Sequence, residues 1–172
     1  MTNLAQAGVS EYKILKQLKS ITSINQFDII VVSHTSPYRV HTRQSIHSTL
    51  LHKDSDLLPN DVHSVFFSIN PVIRSAQSYF RYHFDPDYYE DIYGLIRKEI
   101  DVFTNDVPTL HIDHLNNDHG LYGHEKHCLN LNPLWNSNKG SINHYTDKGN
   151  QLVCSEIKQT IQTMLKQGVI KK

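Results

Sequence analysis

An α/β fold on a mostly parallel sheet is what this sequence predicts, from three observations. Phe27-Asp28-Ile29-Ile30-Val31-Val32 is a short, β-branched, nearly continuous apolar run, the pattern of a strand covered on both faces. Ahead of it, Ile14, Leu15, Leu18 and Ile21 recur at helical spacing. Further on, Val107-Pro108-Thr109-Leu110-His111-Ile112-Asp113 reads as a strand whose proline stands near its start, where a missing N–H is tolerated. Helices alternating with buried strands imply parallel βαβ units.

Taken in order, Met1 to Ala7 reads as the end of a short strand that turns at Gly8, and Ser10 is placed to cap the first helix. The strand over 27–32 leads into a polar segment, Ser33 to Arg43, broken by Pro37; the carboxyl end of a parallel strand is where open α/β sheets bind ligands. Residues 44–64 are weakly patterned, with a loop expected over Leu57 to Asp61, and Val65-Phe66-Phe67 fits either a strand or a core segment. Helix is expected from Ile73 to Tyr82, and a better-marked one starts at Asp85-Pro86, a cap followed by a first-turn proline, with Tyr89, Ile92, Leu95 or Ile96, and Phe103 as its stripe. The asparagines, glycines and Pro133 of residues 114–140 suggest a long ordered loop. A last helix, about 147–167, has Thr146 as N-cap, Asp147 in its first turn, Val153, Ile157, Ile161 and Leu165 on one face, and Gly168 as C-cap.

The 172 residues suit one domain, 1–172. With 17 basic and 17 acidic residues, nothing steers the chain toward nucleic acid or an acidic membrane. No signal-like segment and no long apolar run is present, so a soluble, cytoplasmic protein is expected. The two cysteines make no disulfide framework, and Cys154, inside the periodicity of the last helix, reads as a buried small hydrophobe.

Three segments carry a resemblance. Asn143-His144-Tyr145-Thr146-Asp147-Lys148-Gly149-Asn150 resembles the last motif of the SGNH, or GDSL-like, hydrolases, in which a histidine before a helix is the general base. Asn3-Leu4-Ala5-Gln6-Ala7-Gly8-Val9-Ser10 is similar to the second block, where a glycine N–H serves the oxyanion hole. Val31-Val32-Ser33-His34-Thr35-Ser36-Pro37 stands in place of the third, with Thr35 where the family has an asparagine oxyanion donor. A variant branch found among phage-like proteins looks similar in the wording of all three segments. The resemblance implies a three-layer, flavodoxin-like SGNH fold, amino-terminally shortened, because the first strand and its nucleophile block have no counterpart.

It also implies hydrolysis or transfer of an ester-linked acyl group, on a small-molecule ester or acylated sugar. His144 would be the base, Gly8 and Thr35 the oxyanion donors, and Ser141, which stands where the family has aspartate, or a nearby Asp113 or Asp147 would orient the imidazole. Ser10, Ser33 and Ser36 are the hydroxyls near the expected pocket, and His34, Arg39 and Arg43 flank it. One alternative is a non-catalytic, homo-oligomeric interaction protein derived from the fold, its missing strand compensated by another copy; a second is a metal-dependent enzyme using the histidines of residues 111–128.

No cofactor is expected, with one exception to test. His111 to Cys128 is rich in zinc-ligand types, and His119, His124, His127 and Cys128 are the candidate set, although no ordered motif such as Cys-x-x-Cys is present. Tyr79, Phe80, Tyr82, Phe84, Tyr88, Tyr89 and Tyr93 form an aromatic stretch that fits core packing, an interface or a stacking surface.

Overall fold

The structure, a computed structural model, describes residues 2–6, 8–42, 56–59, 71–114, 127–140 and 145–170. They fall into two compact units, one of Met1–Leu18 and Ser36–Arg97, the other of Lys19–Thr35 and Lys98–Lys172.

In the first unit, residues 2–6 are exposed and form no strand, against expectation. Helix α1 (Glu11–Lys19) opens with Lys13 and Ile14 donating to the Ser10 carbonyl. The Ser10 side chain makes no cap, its Oγ being buried with no hydrogen-bond partner among the described residues, and Ile21 lies past the helix end. Helix α2 (Pro71–Tyr82) and the first part of α3 (Pro86–Phe103) begin where their prolines indicate. Asp85 Oδ1 accepts the N–H groups of Asp87 and Tyr88, so α3 is capped as its sequence predicts. Leu57, Ala76 and Phe80 make a small core with Val40, Tyr79 and Phe84, and Leu57, expected in a loop, forms an antiparallel bridge with Val40. Much of the aromatic stretch is core: Phe84 packs edge-on against Phe80 and Tyr38 and stacks on Tyr89, whereas Tyr82 and Tyr88 are exposed. Of the stripe expected on α3, Tyr89, Ile92, Ile96 and Phe103 are half-buried and Leu95 is exposed, while Tyr93 and Arg97 beside them are buried more deeply. Residues 43–55, 60–70 and Val65-Phe66-Phe67 with them lie outside the described residues.

The second unit is a small α/β domain with a parallel sheet of order β1-β2-β3, formed by Ile30–Ser33, Thr109–Asp113 and Cys128–Asn130. Helices flank it. Leu110 and Ile112 of β2 pack with Val153, Ile157, Ile161 and Met164 of α5 (Asp147–Lys166). On the other face His111 Nε2 lies 3.9 Å from Asp101 Oδ1, in the last turn of α3. Every residue of β2 is buried, as a central strand requires, whereas β1 alternates and leaves Val31 45% exposed. The expectation of a strand covered on both faces is thus corrected for β1, whose Val31 and Ser33 are exposed.

Two further corrections concern the carboxyl-terminal part. Residues 128–138, expected in a loop, form β3 and helix α4 (Asn132–Asn138), because Leu129 pairs in register with Ile112 and Trp135 is buried. On α5, Met164 rather than Leu165 faces the core, and Cys154, next to half-buried Val153, is exposed instead of buried. One step around a helix turns a side chain by about 100°, enough to move it off the covered face. The ends of α5 are as predicted: Thr146 accepts the Gly149 N–H, and Gly168, at φ +72°, closes the helix. No described helix is long and apolar enough to cross a membrane.

Candidate functional site at the carboxyl edge of the sheet

Parallel strands deliver their following residues to one edge. Register pairs Ser33 with Ile112, so the residues just after, His34 and Thr35 on one strand and Asp113 and His114 on the other, arrive together. There Ser33 Oγ and His114 Nε2 are 3.0 Å apart. Residues two apart on a strand share a face, which places His114 on the Ile112 side, toward Ser33, and His111 and Asp113 on the other. On that opposite face His34 Nε2 and His111 Nδ1 hydrogen-bond at 2.9 Å with their rings nearly parallel, both almost wholly buried. Cys128 donates its thiol to Asp113 Oδ2.

The electrostatics favour an uncharged imidazole at this edge. Burial pushes the His114 imidazole below its ordinary value; the Asp113 charge opposes this and His34 reinforces it, with a net lowering. Tyr145, just before α5, holds its ring 6.5 Å from that of His114 and edge-on to Trp135. Burial raises the Tyr145 phenol, which keeps its proton at neutral pH. Among the described residues, His114 Nδ1, the Tyr145 hydroxyl and, in the first unit, Ser10 Oγ are buried with no hydrogen-bond partner. Such atoms are uncommon in folded proteins, and each costs about 1–3 kcal/mol when left unpaired.

Of the expected site residues, His34 and Thr35 belong to this edge; both are buried. Gly8, Ser10, Ser36 and Arg39 belong to the first unit, where most of them gather around a residue no motif marked, Asp56. Its carboxylate, fully buried, accepts the Ser10 N–H at 2.7 Å and the Thr42 N–H at 3.0 Å, and meets Lys13 Nζ at 3.0 Å and His41 Nδ1 at 3.2 Å. Gly8, at φ +70°, turns its carbonyl to Arg39 and to the Asp56 N–H. Ser36 Oγ accepts the Tyr38 N–H. Burial alone would raise the Asp56 carboxyl, but the bonds from Ser10, Thr42 and Lys13 prevail and lower it. Beside this cluster a cavity of about 210 Å³ is lined by Ser10, Tyr12, Arg39, His41 and Tyr93 among others.

His144, Ser141, Arg43, His119 and His124 lie outside the described residues. His127 and Cys128 are described and part company: His127 lines a cavity of about 450 Å³ with Asp28, Asp101 and His111, whereas Cys128 is engaged with Asp113. Among the described residues no group of three or more histidine, cysteine or acidic side chains is arranged to hold a metal ion. Ser33 was expected among the hydroxyls near the pocket but not against His114, and neither His114 nor Tyr145 was an expected site residue. The signal for the first two was parallel register, which pairs residues far apart in sequence.

Comparison with known proteins adds no kinship: no protein-family model matches the chain, and neither do any curated protein or solved structure.

Proposed function

We propose that this chain is a degenerate SGNH-like hydrolase acting on an ester-linked acyl group of a small molecule or an acylated sugar. The observation that carries this reading is the meeting of a hydroxyl, an uncharged imidazole and further polar side chains at the carboxyl edge of a parallel sheet. Acyl transfer needs a nucleophilic oxygen, a base for its proton, and donors for the developing oxyanion. The resemblance assigns the base to His144, with Thr35 and Gly8 as donors and Ser141 as the orienting residue.

The test is hydrolysis of p-nitrophenyl acetate and butyrate, and release of acetate from acetylated oligosaccharides, by the full chain. A rate above buffer that falls at least tenfold in His144→Ala supports the reading with its base. No hydrolysis of any ester sinks it.

One observation favours the non-catalytic alternative. Val31 is exposed on β1, which stands at the end of the strand order among the described strands, and a second copy would cover it. Light scattering on the wild type and on Val31→Lys decides it: a dimer that the lysine dissociates favours an interaction protein, and a monomer in both removes that support.

A further inference from the structure

The second unit holds a hydroxyl in the chemical setting a nucleophile requires. Ser33 is the last residue of β1, exposed, with its backbone fixed by pairing to β2. Its Oγ lies 3.0 Å from His114 Nε2, within the reach a general base requires. His114 is half-buried, and its other nitrogen is enclosed. Ser33 is thus positioned by a strand, and His114 by the end of the neighbouring parallel strand, one residue beyond its last member.

We propose that Ser33 is the nucleophile of this chain and His114 its general base, acting on the acyl carbon of an ester. The inference rests on the hydrolase reading above and replaces His144 as the base of the first step. With the imidazole proton on Nδ1, Nε2 accepts the Ser33 hydroxyl. Oγ bonds to the acyl carbon as its proton passes to Nε2, and the carbonyl electron pair moves onto oxygen. Collapse of this intermediate breaks the bond to the alcohol oxygen, which leaves with the proton from Nε2. Water then gives a proton to Nε2 and its oxygen bonds to the acyl carbon; Oγ departs, recovers that proton, and the carboxylic acid is released. No oxidant or co-reactant beyond water is needed. Burial suits His114 to this role, because an imidazole already protonated at neutral pH could not take the first proton.

The experiment uses the full chain as wild type, Ser33→Ala, His114→Gln, Ser33→Cys and the double variant Ser33→Cys/His114→Gln. Ester hydrolysis is expected to fall on the order of 100-fold or more in Ser33→Ala and in His114→Gln. Their thermal transitions, followed by circular dichroism, control for folding. A fluorophosphonate probe is expected to add its mass to the peptide holding Ser33 in the wild type and not in His114→Gln.

The thiol variant removes dependence on the substrate. Iodoacetamide at pH 6.5 is expected to alkylate the introduced thiol faster than exposed Cys154, and the double variant to lose that advantage. Hydrolysis retained in Ser33→Ala but lost in His144→Ala overturns Ser33 while the hydrolase reading stands. A thiol no faster than Cys154 overturns the pair itself. Wild-type protein that hydrolyses no ester overturns the hydrolase reading, whatever the thiol does.

Discussion

Asp56 in the first unit and His114 in the second are both enclosed ionisable side chains, and their surroundings differ in kind. The Asp56 carboxylate meets two backbone N–H groups, a lysine and a histidine, so its charge is matched where it sits. His114 has one partner, a serine hydroxyl, and leaves Nδ1 buried and unpaired among the described residues. A carboxylate matched in this way holds segments together: Asp56 ties the start of α1 to Thr42. An imidazole held neutral against a hydroxyl stabilises little and is poised to accept a proton. On the proposed reading the difference separates a structural polar cluster from a chemical one, although the first contains more of the residues a motif search selects.

That comparison can be broken by substitution. His114→Gln is expected to have the largest effect on function, on the order of 100-fold in ester hydrolysis, equivalent to about 2.7 kcal/mol of barrier, with a change in chemical-denaturation midpoint too small to account for it. Asp56→Ala is expected to do the reverse and destabilise the fold by about 3 kcal/mol, because Lys13 and two N–H groups lose their partner. Equilibrium urea unfolding measures both. If Asp56→Ala unfolds as the wild type does, the network is not structural.

The pH dependence of stability sharpens the contrast. Asp56 has a lowered carboxyl, so its contribution is complete above the ordinary aspartate value and is lost as pH falls through the lowered one. Asp56→Asn should therefore lose less stability than the wild type below about pH 4. His114 is lowered as well, and its neutral folded form favours folding above about pH 6.5, with that advantage declining as pH falls. His114→Gln should flatten the slope between pH 7 and pH 5, measured as the urea midpoint at each pH. A parallel curve would mean that the folded environment does not depress this imidazole.

Smaller effects probe the support of the edge. A Cβ on Gly149 would lie 2.9 Å from the Asn138 Cβ and 3.1 Å from Tyr145, so Gly149→Ala is expected to cost about 1–2 kcal/mol despite alanine's better helix propensity. Thr146→Ala removes the side-chain cap of α5 and is expected to cost about 1 kcal/mol. Thermal unfolding reads both. A stabilised Gly149→Ala would mean that Tyr145 yields and is not firmly held.

The features legible in the sequence were those whose causes are local. Asp85-Pro86 and Thr146 marked helix starts, Gly168 a helix end, and the apolar run over 107–113 the central strand, because caps, turns and covered strands depend on a few adjacent residues. How far each face is covered was not legible: Val31 and Cys154 have the composition of buried positions and lie exposed, since burial depends on what reaches that face. The sequence by itself determined an α/β alternation, a polar segment after β1 and the ends of the last helix. Only the tertiary structure decided that Asp56 joins Ser10 and Lys13, and that Ser33 meets His114. The physical reason is register: parallel pairing sets Ser33 against Ile112, and that alignment brings His114, the residue just beyond the end of the following strand, to its hydroxyl.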